Sequence, residues 1–461
     1  MMHVHLIGIG GTGLSAIARV LLESGYQVSG SDQTLSDLAQ DVMRLGARVF
    51  VGHHADNILG ADLVVRSSAI SDANVEVAAA RAAGIPVLKR SEFLGRLIAD
   101  RDSIAIAGTH GKTTTTAMIA YLLTALGEDP SYIIGGVAKD LHSNAHAGQG
   151  RAFVIEADEY DRMFLGLHPA VMVVTNLEHD HPDCYPTLAE YQSAFSEFVS
   201  QLKPEGILLA CADDLAAKTM LFSLPQGCRA FTYGLDPSAD YQARQVRVDD
   251  AGGIQFDLWL NAPGGERQLV SASLAIPGLH NVRNAAAALA VIHQMGLPLE
   301  TAAYKLQSFS GTGRRFDILG EALGITLIDD YAHHPTEIKA TLAAARARFK
   351  NRRIWAVWQP HTFSRTQTLL QDYLTAFGDA DQVIITEIYA SREAPCDFSS
   401  QQVAAKMSQP TARYAATLQA AKELLVSELR PGDVVIVLSA GDAAQMNADL
   451  LQDLRRKEGL A

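Results

Sequence analysis

Ser103-Ile-Ala-Ile-Ala-Gly-Thr-His-Gly-Lys-Thr-Thr-Thr-Thr116 decides how this chain is read. An apolar strand, Ile104 to Ala107, runs into a turn carrying Gly108, Thr109, His110 and Gly111. Lys112 and four hydroxyls follow, and Ala117 to Leu126 reads as a helix. Such a unit holds nucleotide phosphates. Small residues let backbone N–H groups close on the anion, and the helix N-terminus adds its positive dipole end. Lys112 is placed to reach the β- and γ-phosphates, and the Thr113 hydroxyl to ligand Mg²⁺. Ile106 stands where the common motif has its first glycine, so the loop is the shorter Gly108-x-x-Gly111-Lys112-Thr113. Taken alone, these residues also fit an ordinary glycine-rich βα turn.

A chain of 461 residues implies about three domains. Its 48% hydrophobic and 19% charged content fits a soluble globular protein. The net charge of −13 argues against a nucleic-acid surface, which needs clustered Lys and Arg. A local basic pocket for a small anion stays open. Cys184, Cys211, Cys228 and Cys396 lie far apart without Cys-x-x-Cys spacing, as in a reducing cytosol. No apolar stretch reaches membrane-spanning length and no charged leader precedes the first strand, so a cytoplasmic protein is expected.

Upstream, the strand His3 to Ile7 leads into Gly8-Ile-Gly10-Gly11-Thr-Gly13, then a helix through Leu22 and a second strand ending at Asp32. This matches a dinucleotide fingerprint: a diphosphate at the helix N-terminus and Asp32 near a ribose or base. Ser67 and Ser68 follow another strand, where open parallel sheets bind ligands. The pattern restarts near Asp100-Arg101-Asp102, and two such turns need two sheets.

Downstream, Glu156-Ala-Asp158-Glu159-Tyr-Asp161 and Asn176-Leu-Glu178-His-Asp180-His181 each follow an apolar strand. Carboxylates and a histidine at the edge that carries the phosphate loop suit Mg²⁺. From Gly206 to Ile276 the chain is strand-rich, with a hairpin turn expected at 249–253. Asn284 is a candidate N-cap for an alanine-rich helix, Ala285 to Met295. Ser310 to Asp317 reads as a flexible, doubly basic connector, and strand–helix alternation resumes after it. The charged tail from Arg455 is expected to fray. The fold class is α/β with three domains: 1–100 and 314–461 Rossmann-like, and 101–313 of P-loop ATPase type. These pieces allow an ATP-dependent transferase or ligase with a second, diphosphate-bearing substrate.

In eight segments the chain resembles the Mur amide-ligase family: the two glycine-rich turns, Glu156-Ala-Asp-Glu159, Asn176 to His181, His280-Asn-Val-Arg-Asn284, Gly311-Thr-Gly-Arg-Arg-Phe-Asp317, Asp329-Asp-Tyr-Ala-His-His-Pro335 and Gln359-Pro-His-Thr-Phe-Ser-Arg365. The short phosphate loop is that family's own form, and the last two segments point to its alanine-adding branch. The resemblance implies a ligase that joins L-alanine to the lactyl carboxylate of UDP-N-acetylmuramate through an acyl phosphate, in the cytoplasmic part of peptidoglycan synthesis.

By the same resemblance the first domain holds UDP rather than NAD, through Gly8, Gly10, Gly11, Gly13, Asp32, Ser67 and Ser68. ATP falls to Gly108, Thr109, His110, Gly111, Lys112, Thr113, Thr114, Asn281, Asn284, Arg315 and Asp330. Mg²⁺, with Mn²⁺ as a substitute, falls to Thr113, Glu156 and His181, while Glu159 is expected nearer the surface. Tyr331, His333, His361 and Arg365 are implied for L-alanine, with Arg365 taking its carboxylate as a planar fork. Lys112, Glu156, His181, His333 and Arg365 are the implied catalytic set. His333 or His361 is a candidate to deprotonate the amine. The expected partners are these small molecules, with no nucleic acid and no membrane, for a monomer or homodimer.

Two departures stand out. Later family members carry a carbamylated lysine near the place of Ser196, so none is expected here. Some alanine-adding enzymes have arginine at the place of Thr362, which would throw carboxylate recognition onto Arg365. The rival reading is the recycling ligase that attaches a preformed tripeptide. It shares the first two domains' motifs, but Gln359 to Arg365 argues against it.

Overall fold

The computed structural model describes residues 2–459 except 250, 251, 263, 392, 395 and 409. Three sheets succeed one another along the chain. The first is five-stranded and parallel, in the order Arg48–Val51, Gln27–Asp32, His3–Ile7, Leu63–Arg66, Val87–Lys89. The order reverses beside His3–Ile7, so a crevice opens between that strand and Leu63–Arg66, where doubly wound sheets bind their ligands. Gly8 and Ser67 flank this crevice; a Cβ on Gly8 would stand 3.1 Å from the Ser67 Cβ, and Gly8 holds φ at +93°.

The second sheet has ten strands. Its parallel centre seats Asp102–Ala107 between Ala152–Glu156 and Val171–Val174, with Ile106 opposite Glu156 and Ala107 opposite Val174. This register delivers the phosphate loop, Glu156 and the Thr175-Asn176 turn to one edge. The strand-rich stretch from Ile207 extends the same sheet in parallel pairings as far as the near edge of Tyr241–Val248, and the pairings are antiparallel among Tyr241–Val248, Ile254–Ala262 and Gly265–Leu274. The first two of these form the expected hairpin; the centre of its turn, residues 250 and 251, lies outside the described residues.

Two expectations for this domain are corrected. The helix after the phosphate loop begins at Lys112, so Thr113 to Thr116 are helical and buried rather than a leader to it. Asn284 is no N-cap: its helix spans Leu279–Gln294 behind Gly278. Ala285 to Ala288 and Ala290 are fully buried there. The segment Ala285–Ile292 of this helix is buried on every side, as a core helix is, and its alanines let it lie close to Lys112–Ala125.

The third sheet has six strands in the order Asp317–Ala322, Ile325–Asp330, Val434–Ser439, Ile354–Gln359, Gln382–Thr386, Ala412–Ala415, of which only the first is antiparallel. Its tail does not fray at Arg455: helix Ala443–Glu458 runs past it, anchored by buried Leu450, Leu451 and Leu454. Among the described residues no helix is long and apolar enough to cross a membrane.

Candidate active site

The phosphate loop is shaped by two glycines. Gly108 (φ +133°) lies so close to Thr175 that a Cβ would collide with its hydroxyl, and Gly111 (φ +83°) would put a Cβ 2.8 Å from Asn284 Oδ1. Asn176 pins the loop from the next strand: its Oδ1 accepts the His110 N–H at 2.9 Å and its Nδ2 donates to His110 O at 3.0 Å.

Lys112 folds back over its own loop. Its ammonium donates to Gly108 O and Thr109 O and spans the Glu159 carboxylate at 3.0 and 2.9 Å. Burial works against that charge, but Glu159 and Glu156 raise the Lys112 pKa above its ordinary value. Glu159 is therefore not near the surface, as its sequence position suggests; it is 1% exposed. Glu156 accepts from Thr113 Oγ1 at 3.0 Å and from Gly135 N–H at 2.7 Å, and burial raises its carboxyl pKa against the pull of Lys112. His181 stands apart from that pair, its Nε2 3.7 Å from Glu159 Oε1 and 3.7 Å from Asp180 Oδ2. Thr113 and Glu156 thus share one oxygen-rich corner, and His181 faces Glu159 across from it.

A cavity of ≈ 330 Å³ lies between the central and C-terminal domains, within the usual range for a small-molecule site. Gly111, Thr113, Asn281, Asn284, Arg315 and Asp330 line it. Asn281 donates to Pro277 O at 2.6 Å and accepts from Asn284 Nδ2 at 3.2 Å, so the pair is held rigid at the cavity wall. Burial pushes the Asp330 carboxyl up to about 6 against the pull of Arg315. Asp330 accepts from the Phe316 and Ala332 N–H groups at 2.8 and 2.7 Å, which fixes the connector against the third sheet.

The third domain closes over the loop. Glu337 accepts the His333 and His334 N–H groups at 3.1 and 3.3 Å, and its Oε1 lies 3.3 Å from both His110 Nδ1 and Arg315 Nη1. His110 sits between Glu178 and Glu337; against burial, these carboxylates raise it to about 9. His333 is pushed the other way, to about 3, by burial and by Arg365. It is therefore neutral, and its Nδ1 lies 3.0 Å from Tyr331 O, so the proton sits on Nδ1 and Nε2 is bare. The Tyr331, His333, His361 and Tyr389 rings form a chain, at centroid separations of 5.5, 5.8 and 5.8 Å.

Arg365 departs from its expected use. Its Nε and Nη2 both donate to Asp180 Oδ1, at 2.9 and 2.7 Å, and Nη1 faces His361 Nδ1 at 3.1 Å. The guanidinium is 5% exposed. Its fork is thus engaged by a carboxylate of the central domain, with Asp180 Oδ2 left on the side of His181. Next to it, Thr362 is held at φ +67°, ψ +145°, a costly conformation for a β-branched residue. Ser196 sits elsewhere, its hydroxyl 3.8 Å from Met220 Sδ.

In the first domain Asp32 is turned inward: Oδ2 accepts the Gly10 N–H at 2.9 Å and stiffens the turn. Arg90, which carries no sequence motif, covers Gly13 so closely that a Cβ there would strike its guanidinium. Its other neighbours are Met163 Sδ at 2.8 Å from Nε and Asp158 at 3.4 Å from Nη2. A thioether is a weak acceptor, so this part-buried cation is under-satisfied beside the Gly10–Gly13 turn.

Residues 3–102 match the Mur ligase family catalytic domain, 106–292 the Mur ligase middle domain and 314–441 the Mur ligase glutamate ligase domain. The chain belongs to the Mur ligase family. It is 42% identical to the UDP-N-acetylmuramate–L-alanine ligase of Geobacter sp. (strain M21), over 98% of this chain and 97% of that one. Against the enzyme of the same name from Chloroflexus aggregans it is 42% identical over the full length of both. Among solved Mur ligases, the UDP-N-acetylmuramate-alanine ligase of Thermotoga maritima superposes with a TM-score of 0.82 at 27% identity, covering 99% of this chain and 100% of that one. The murein peptide ligase of Psychrobacter arcticus gives 0.72 at 25% identity, covering 98% and 99%.

Proposed function

We propose that this Mur ligase joins L-alanine to the lactyl carboxylate of UDP-N-acetylmuramate, turning ATP into ADP and phosphate. It would act on small molecules in the cytoplasm. The names carried by its full-length relatives support that pair of substrates. The observation that carries the chemistry is the meeting of the phosphate loop, two residues before Lys112, with the third domain, where His110 Nδ1 and Glu337 Oε1 lie 3.3 Å apart.

The crevice beside Gly8 and Ser67 takes the UDP, with the Gly10–Gly13 turn and Arg90 against its diphosphate. ATP fills the cavity between Asn281, Asn284 and Arg315. The lactyl carboxylate attacks the γ-phosphorus and ADP leaves, giving an acyl phosphate. The alanine amine then attacks the acyl carbon, and the tetrahedral adduct expels phosphate. Activation is needed because a carboxylate is a poor electrophile. Lys112 leaves Glu159 for the phosphate oxygens, where its charge offsets the repulsion between two anions. Thr113 and Glu156 are hard oxygen donors that fit Mg²⁺, with His181 as a further candidate. When bound there, Mg²⁺ neutralises charge on the transferring phosphoryl group. His333, held at about 3, is too weakly basic to hold the amine proton at neutral pH; its Nε2 can accept a hydrogen bond that orients the amine, and the proton leaves with the expelled phosphate.

Phosphate release from ATP and UDP-N-acetylmuramate, with L-alanine, glycine, L-serine or tripeptide as acceptor, tests this. L-alanine should give the highest kcat/KM, with partial leakage to glycine and L-serine, because one methyl or hydroxyl is worth only about 1–3 kcal/mol. Release with tripeptide but not with L-alanine would overturn it.

A further inference from the structure

On the wall of the inter-domain cavity, His110 and Glu178 meet His334 of the third domain. His110 Nε2 lies 3.3 Å from Glu178 Oε2, and His334 Nδ1 lies 3.5 Å from the same oxygen. The two rings are tilted at a centroid distance of 4.6 Å, and one ligand atom from each of the three residues falls within 4.8 Å of the others. Around a tetrahedral ion with bonds of about 2.0–2.1 Å, adjacent ligand atoms stand about 3.3–3.4 Å apart. One separation in the cluster, 3.3 Å, matches that edge, and a second, 3.5 Å, lies just outside it.

Two further features suit a metal. His110 presents its other nitrogen to Glu337 Oε1 at 3.3 Å, the carboxylate–histidine arrangement that orients a metal-binding ring. His334 is 5% exposed and turns Nδ1, not its unpartnered Nε2, toward Glu178, so Nδ1 is the ligand atom the geometry offers. The same Nδ1 takes a long contact from the Thr336 N–H, at 3.3 Å, which an ion at that nitrogen would displace. Thr336 Oγ1 also donates to Glu178 Oε2, at 2.5 Å, and would orient that carboxylate.

We propose that His110, Glu178 and His334 form a site for a borderline transition-metal cation of the Zn²⁺ class. The site is separate from the oxygen corner of Thr113 and Glu156. Two imidazoles and one carboxylate are a donor set for Zn²⁺, whereas Mg²⁺ favours oxygen alone. Glu178 within the site and Glu337 behind it supply two negative charges for a dication. Coordination replaces the proton on His110 Nε2, so binding releases a proton to solvent. Because His110 and Glu178 belong to the central domain and His334 to the third, the ion ties the two domains shut. It therefore inhibits any reaction that needs them to part for product release.

The test uses the full chain in excess Mg²⁺, with Co²⁺ as a spectroscopic probe and Zn²⁺ as competitor. Wild-type protein should take up one Co²⁺ with the intense visible bands of a tetrahedral site, and Zn²⁺ should displace it. Zn²⁺ should also inhibit phosphate release reversibly on chelation. His334→Asn keeps an N-cap acceptor for Thr336 while removing the imidazole; Glu178→Gln removes the carboxylate at a second position. Each should lose the tetrahedral bands and weaken Zn²⁺ binding at least tenfold. Octahedral or absent Co²⁺ bands in the wild type would overturn the proposal. So would bands and Zn²⁺ affinity unchanged in both variants, which would place the ion at Glu156 and His181 instead.

Discussion

Arg365 of the third domain and Asp180 of the central domain form a buried ion pair, with Nε and Nη2 both on Oδ1 at 2.9 and 2.7 Å. Although burial opposes the charge, the Arg365 guanidinium holds the Asp180 carboxyl well below the usual carboxylate range. This pair seals the cleft in which the phosphate loop meets the His333 loop. Removing one member of a buried pair leaves an uncompensated charge, at a cost of about 3–5 kcal/mol. Asp180→Asn and Arg365→Lys should each lower kcat/KM for L-alanine by at least about 10²-fold. The double variant should be no worse than the poorer single one, because both remove the same contact. Additive losses in that cycle would show that the two residues act separately.

Lys112 and Glu159 form the second relationship on which the reaction depends. Lys112→Ala should lower ATP-driven phosphate release by about 10³-fold or more in kcat; because it strands buried Glu159 the thermal midpoint should fall, while circular dichroism should show the fold kept. Glu159→Gln removes the ion pair that holds the ammonium back from the nucleotide. It should tighten ATP binding in a direct titration while lowering turnover. Unchanged turnover in Lys112→Ala would remove the phosphate loop from the mechanism.

Arg90 makes a separate claim on the first domain. If its guanidinium serves the diphosphate, Arg90→Ala should raise KM for UDP-N-acetylmuramate by about tenfold or more and leave KM for ATP within about twofold. A charge-assisted hydrogen bond of about 1.5–3 kcal/mol sets that scale. An equal rise in both constants would mark Arg90 as a general support between domains.

Stability should carry a signature of Glu76, which is fully buried and accepts from Ser31 Oγ at 2.5 Å and Asn57 Nδ2 at 2.6 Å, with His5 Nε2 at 3.4 Å. Burial opposes its charge, but these donors lower its pKa from 4.5 to about 2. A depressed carboxyl contributes stability that is present above pH 4.5 and is lost as the pH falls toward 2, by up to about 3 kcal/mol. Urea unfolding across that window should show the wild type losing stability more steeply than Glu76→Gln. Parallel curves would mean that Glu76 is not ionised in the folded state.

What could be read along the chain was whatever a single turn or strand end contains. Gly108 to Thr113 needs only its own glycines and the next helix, so its role in the loop was visible, and the same holds for Gly8 to Gly13. The ten-strand sheet was less legible, because nothing local says that the strands after Ile207 extend the sheet begun at Asp102. Asp180 looked like one more carboxylate for Mg²⁺, since its partner, Arg365, lies in another domain. Arg90 sat in no motif, and only the packing of its helix against the central domain brings it over Gly13. Asn284 looked like a cap because asparagine favours that place, but its side chain faces Gly111 from inside a helix. Thr362 illustrates the same limit: its left-handed φ follows from the closure around His361 and Tyr389, not from its own preference.

Transfer of oxygen from the muramic carboxylate to phosphate tests the central claim most directly. With the lactyl carboxylate of UDP-N-acetylmuramate labelled with oxygen-18, one turnover in the presence of L-alanine should place a single label in the released phosphate and none in ADP. Phosphate free of label, or label in a nucleotide, would contradict activation through an acyl phosphate at Lys112.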